Sequence, residues 1–126
     1  MKANELMIGD WVIDGKNIAQ ITSITCDGII ETTFNKSSNI EVIEPIPLTP
    51  EILEKNGFIG DKNVCKSKVR DDSKDELWQC EYAWYLKNLR IKNLTNSSIA
   101  RLYNIMFVHE LQHALRLCGI NKEIEV

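Results

Sequence analysis

No apolar run in this 126-residue chain approaches the ~18 residues that a membrane-spanning helix requires, so the sequence predicts none. The first residues, Met1 to Gly9, turn polar before a signal-peptide hydrophobic stretch can build, which predicts a cytoplasmic protein. A glycine-rich phosphate loop and a Gly-x-Ser-x-Gly elbow are both missing, and with them two common nucleotide-binding and hydrolase signatures. Cysteines 26, 65, 80 and 118 lie 39, 15 and 38 positions apart, and no two are close enough to give paired ligands to one zinc ion. They read as reduced, mostly buried thiols. Neither sign of charge dominates: 15 Lys+Arg face 18 Asp+Glu, and 44% of residues are hydrophobic. That balance excludes wholesale disorder and a uniformly basic nucleic-acid coat. Repeats and low-complexity tracts are absent as well.

What is present divides at the only three prolines, Pro45, Pro47 and Pro50, which fall within six residues. Proline removes a backbone donor and fixes φ, so Glu44–Pro50 predicts an extended connector without ladder bonds. Thr49, Pro50 and Glu51 then form a helix start, and Gly57 supplies a stop, giving a helix over about residues 50–56. Before the connector, Asp10–Asp14, Ile18–Cys26, Gly28–Phe34 and Ile40–Ile46 are β-prone. They are separated by Asp14-Gly15-Lys16-Asn17, Asp27-Gly28 and Asn35–Asn39. Four short strands bury little as an open sheet, so residues 1–46 predict a small SH3-like barrel with Trp11 as a core anchor.

Residues 47–126 predict an α+β module that either stands alone or shares one core with the first. Val64–Val69 reads as a strand and Asp71–Asp75 as a polar turn. Trp78, Cys80, Tyr82, Trp84 and Leu86 then alternate with Gln79, Glu81, Ala83 and Tyr85 at the two-residue period of a half-buried strand. Leu89–Leu94 returns antiparallel, Asn96–Ser98 turns, Ile99–Ile105 fits a strand or the opening of a helix with strand favoured, Phe107–Cys118 reads as helix, and Ile120–Val126 as a short terminal strand. On the helix, Phe107, Val108, Leu111, Ala114, Leu115 and Cys118 make an apolar side. His109, Gln112, His113 and Arg116 lie opposite, where solvent covers them unless another module does.

That helix carries His109-Glu110-Leu111-Gln112-His113, a match to the zinc-hydrolase pattern. Histidines at i and i+4 share a face and can hold a metal, and Glu110 can activate a bound water. A third ligand is needed. No other histidine exists, Arg116 stands where the extended pattern wants glycine, and Glu123 and Glu125 follow a helix-breaking Gly119. The reading favoured is a polar helix face, without cofactor or catalytic residue. The alternative is a minimal zinc hydrolase with His109 and His113 as ligands and Glu110 as base.

A second constellation interleaves Lys66, Lys68, Arg70, Lys74, Lys87, Arg90 and Lys92 with Trp78, Tyr82, Trp84 and Tyr85. Single-strand binders stack bases on such aromatics while neutralising phosphates. A packed core sheet shows the same alternation, and Asp71, Asp72, Asp75, Glu76 and Glu81 dilute the charge, so nucleic-acid binding is the alternative reading here.

Three blocks, Met1-Lys2-Ala3-Asn4-Glu5-Leu6-Met7-Ile8-Gly9-Asp10-Trp11-Val12, Ile43-Glu44-Pro45-Ile46-Pro47-Leu48-Thr49-Pro50-Glu51-Ile52-Leu53 and Val108-His109-Glu110-Leu111-Gln112-His113-Ala114-Leu115, resemble a family of small proteins of gut Bacteroides-type genomes, frequent in prophages and mobile elements. The stretch from about Asp61 to Tyr103 carries none of the resemblance. No activity attaches to that family. Its members often place Gln at the position of Glu110 and Asn at that of His113, so the resemblance implies an architectural or docking helix and transfers nothing catalytic.

The combined expectation is a non-enzymatic accessory protein of a phage or mobile element that docks a protein partner, with no membrane contact. The charge is also split. Residues 1–61 hold four basic and ten acidic side chains, and residues 62–126 hold eleven and eight. A local basic surface on the second half is therefore compatible with the overall −3, as is mutual attraction of the halves.

Overall fold

The computed structural model describes residues 5–35, 38–60, 63–71 and 76–126, with the backbone alone at 39, 41, 68–71 and 76. Among the described residues the architecture is α+β, with two five-stranded antiparallel sheets and two α-helices. The chain forms two compact units, residues 1–47 with 107–109, and residues 48–106 with 110–126. None of the described helices is long and apolar enough to cross a membrane.

In the first unit, β1 (Trp11–Asp14) turns through Gly15-Lys16 into β2 (Asn17–Ile24). Gly15 takes φ 66°, the left-handed value a two-residue hairpin demands. The strands β3 (Ile29–Thr32), β4 (Ser38–Asn39) and β5 (Ile43–Pro45) complete a sheet of order β4-β3-β2-β1-β5. The β2–β3 register shifts between Ile21 and Ser23, so β2 bends where it passes from one neighbour to the other. Leu6, Val12, Ile21, Ile30 and Ile43 form the core.

Trp11 is not that core's anchor. Strand parity turns Val12 and Asp14 inward and leaves the indole half-buried. Buried Asp14 accepts hydrogen bonds from the hydroxyls of Thr32 (2.9 Å) and Ser38 (2.8 Å), tying β1 to β3 and β4. The run Ile40–Ile46 is not one strand either. A 3₁₀ turn, Ile40–Val42, precedes β5. The connector likewise starts inside a ladder, with Pro45 opposite Val12 on an edge strand, where a missing N–H does no harm. Pro47 bridges to Phe107, and the Val108 amide donates to the Ile46 carbonyl at 2.8 Å. The middle of the Asn35–Asn39 turn lies outside the described residues.

The second unit opens with α1 (Pro50–Lys55), capped as the sequence predicts: Thr49 Oγ1 accepts from the Ile52 amide at 3.2 Å, and Gly57 (φ 87°) ends it. Five strands follow, β6 (Ile59–Gly60), β7 (Val64–Asp71), β8 (Glu76–Ala83), β9 (Asn88–Asn93) and β10 (Ile99–Leu102), in the spatial order β10-β9-β8-β7-β6. The polar turn expected after Asp71 lies mostly outside the described residues. One face of this sheet is buried, with Cys65, Ser67, Trp78, Cys80, Tyr82, Leu89, Ile91 and Asn93 at alternate positions. The alternation stops sooner than its sequence pattern. β8 ends at Ala83 and residues 84–87 make a turn, leaving Trp84 half-buried and Leu86 exposed.

The last element is α2 (Val108–Leu117), closed by Gly119 at φ 78°. The terminal strand expected over Ile120–Val126 does not form. Side chains substitute for a ladder there. Gln112 Nε2 donates to the Lys122 carbonyl (2.8 Å), and its Oε1 accepts from the Ile124 amide (2.7 Å). Asn56 exchanges a reciprocal pair with Glu125, at 2.7 and 2.8 Å. Ile120 and Ile124 are thereby held fully buried.

Candidate functional site

The His-Glu-x-x-His segment does lie on a helix, but its members have other duties. Glu110 Oε1 accepts a hydrogen bond from the Met106 amide at 3.0 Å, satisfying a donor that the start of the helix cannot pair internally. His109 is 5% exposed and stacks on Phe107, ring centroids 6.0 Å apart and planes 10° from parallel. His113 is half-buried. The solvated polar face that the helical wheel predicts is therefore not found at His109 or Gln112. For Gln112 the cause is the segment after Gly119, which folds back along the helix and takes both ends of its amide. Among the described residues no group of three or more His, Cys, Asp or Glu side chains could hold a metal. Of the two downstream carboxylates, Glu123 lies 3.6 Å from Arg116, and Glu125 has its backbone held by Asn56.

Two of the cysteines, Cys80 and Cys118, are poor nucleophiles because they are covered. Burial pushes the Cys80 thiol up to about 12, with Cys118 adding to the shift and Lys122 opposing it, and burial also raises Cys118. Both are protonated at neutral pH. Tyr82 is pushed up to about 12 by burial and by the nearby Glu110 charge, while its hydroxyl donates to the Ile105 carbonyl at 2.5 Å.

The second constellation behaves differently. The register places Lys66 opposite Glu81, Glu81 opposite Arg90 and Arg90 opposite Arg101, so one row crosses β7, β8, β9 and β10. The next row is Lys68, Gln79, Lys92 and Ile99. Arg70 follows two positions further along β7. Strands lie about 4.8 Å apart and same-face residues about 6.7 Å apart along a strand, so each row spans about 14 Å. All these positions belong to the face opposite the buried one. Lys66, Gln79, Glu81, Arg90 and Lys92 together line a shallow depression of about 200 Å³. Its internal ion pair is modest: Arg90 lies 3.7 Å from Glu81 at partly exposed positions, a contribution of at most about 1 kcal/mol. Arg90 Nε is covered and has no partner among the described residues, so its guanidinium is not saturated.

The sheet separates what the sequence interleaves. Trp78 and Tyr82 lie on the buried face, so they cannot stack bases beside the cations. Lys87 lies in the turn after β8, with its ammonium 5.8 Å from the centre of the Trp84 ring, apart from the basic rows. Trp84 is fixed by an edge contact to Tyr82 (centroids 4.9 Å) and by donating from Nε1 to Cys65 Sγ at 3.2 Å. It lines a cleft of about 610 Å³ with Phe58, Gly60 and Glu54. Arg101 completes the basic row and was outside the stretch singled out from sequence. Its signal was the two-residue alternation of Ile99–Leu102, which becomes informative once β10 is paired with β9. No family model, no curated protein and no solved structure matches this chain.

Proposed function

We propose that this is a non-enzymatic interaction protein, of the phage and mobile-element kind its sequence resembles, that docks an acidic protein surface on the outer face of β7–β10. The observation that carries this is the in-register set of Lys66, Arg90, Lys92 and Arg101 around Glu81, with Lys68 and Arg70 at register positions of the same face. Glu81 also favours protein over nucleic acid. A phosphate lattice is uniformly negative and sets charge against that carboxylate, whereas a protein can offer it a donor amid its own acids. The formal net charge of −3 works against non-specific attraction to a polyanion at long range. For the first unit, the strand order, the bent β2 and the 3₁₀ turn between β4 and β5 support a small SH3-like barrel as scaffold. A cytoplasmic location belongs to the same proposal.

The test is fluorescence anisotropy of the full chain with labelled poly-L-glutamate, duplex DNA and single-stranded DNA across about 50–200 mM salt. Polyglutamate should bind, weaken with salt, and be lost in a Lys66→Glu/Lys92→Glu variant that unfolds normally. Tighter binding of either DNA shifts the reading to nucleic acid. Absence of any binding at low salt ends the proposal.

A further inference from the structure

The free edge of the second sheet offers more than charge. β10 is the outermost strand and pairs only with β9 among the described residues. The Asn93 amide donates to the Ser98 carbonyl at 2.9 Å, which makes Asn93 and Ser98 a hydrogen-bonded pair. Antiparallel alternation then makes Ile91–Ala100 and Leu89–Leu102 the next such pairs. The backbone groups of Ile99 and Arg101 point away from β9, toward the open edge. Four residues of extended chain thus present two N–H and two C=O groups ready for a further strand.

Beneath this edge lies a cleft of about 530 Å³ whose walls include Trp78, Ile91, Ala100, Leu102, Leu117 and Cys118. Leu117 is 79% exposed, an apolar side chain left at the lip. Trp78 is 91% buried, as its 9% exposure shows, yet its indole N–H has no hydrogen-bond partner among the described residues. That N–H stands in the cleft wall, so a side chain entering the cleft changes its surroundings.

We infer that β10 receives an extended peptide as a sixth strand, with apolar residues entering the cleft and acidic residues alternating with them on the basic face. The alternation follows from parity. Ala100 and Leu102 belong to the buried face, whereas Ile99 and Arg101 belong to the face of Arg90 and Lys92. Residues of an added strand opposite Ala100 and Leu102 therefore face the apolar cleft, and their neighbours lie beside Arg101 and, across Ile99, on the side of Lys92. A second copy of β10 is the poorer occupant, because antiparallel self-pairing brings Arg101 toward Arg101. This inference rests on the proposed function for the sign of the partner's charge. It adds the backbone geometry and the cleft.

The probe is a capped octapeptide alternating valine and glutamate, titrated into the ¹⁵N-labelled full chain. At about ten times its Kd the peptide should slow hydrogen exchange of the Ile99 and Arg101 amides about tenfold and shift the Trp78 indole resonance. The same peptide N-methylated along one edge should give no protection. Arg101→Pro, a substitution that an edge position tolerates, should abolish peptide binding while the remaining cations retain polyglutamate. Peptide binding that leaves both amides unprotected, or equal binding of the N-methylated form, overturns the inference. Polyglutamate binding without amide protection by the peptide sinks the added strand alone, and the reverse pattern sinks the basic-face reading alone.

Discussion

Gln112 stands on the side of α2 that helical periodicity marks as solvated, yet it is 4% exposed and holds the segment after the helix by both ends of its amide. Gln112→Ala removes two hydrogen bonds, each contributing about 0.5–1.5 kcal/mol net, and strands the buried Ile124 amide at a further cost of about 1–3 kcal/mol. Allowing for partial relaxation, the variant should lose about 2–4 kcal/mol. Urea unfolding of the full chain, followed by tryptophan fluorescence, measures this as a lower midpoint at unchanged slope. Gln112→Glu provides a directional check. Its carboxylate can still accept from Ile124 but repels the Lys122 carbonyl, so it should be destabilised at neutral pH and partly recover on acidification, when the protonated acid donates again. A Gln112→Ala loss below about 0.5 kcal/mol, typical of a surface substitution, refutes the clamp.

Alkaline titration should weaken the second unit. Cys80 rises from its usual 9.0 and Tyr82 from 10.0, each to about 12, so unfolding releases protons that the fold retains. Stability is then flat below about pH 9 and falls between about pH 9 and 12, and Cys80→Ala should flatten the early part of that fall. Gly60→Ala should cost about 1–3 kcal/mol and speed exchange across β6–β7, because the added Cβ would come within 2.1 Å of the Val64 carbonyl oxygen. Calorimetry with zinc should give the same weak isotherm for the parent and His109→Ala. Tight stoichiometric binding lost in the variant revives the hydrolase reading. Glu110→Ala should cost about 1 kcal/mol by freeing the Met106 amide, whereas Glu110→Gln, which keeps an acceptor, should cost less.

Local chemistry was legible in the sequence wherever one residue fixes its own backbone. Thr49 and Gly57 bounded α1, Gly15 marked its hairpin, and the alternation of Trp78, Cys80 and Tyr82 matches the buried side of β8. Readings that depended on partners distant in the chain fared worse. The Trp84–Leu86 pattern ran on past Ala83 because periodicity cannot register a turn whose conformation Lys87 supplies at φ 55° without glycine. Trp11 looked like an anchor by size, but parity with the deeply buried Val12 decided otherwise. Of the candidate residues, the cations of the basic face were identifiable by type and spacing. Their separation from Trp78 and Tyr82 followed only from the pairing of β7 through β10.

The reciprocal Asn56–Glu125 pair has a kinetic meaning. It joins residues 69 positions apart, and closing a loop of that length costs about 3.8 kcal/mol by the logarithmic chain-entropy rule, before any fixed term. Two hydrogen bonds cannot offset that alone, so they form only after β7–β10 and α2 have drawn the ends together. Asn56 is then a latch set after the folding barrier rather than part of the nucleus. Its replacement by alanine should speed unfolding while leaving the folding rate nearly unchanged, which makes this asparagine a determinant of how long the second unit stays folded rather than of how quickly it folds.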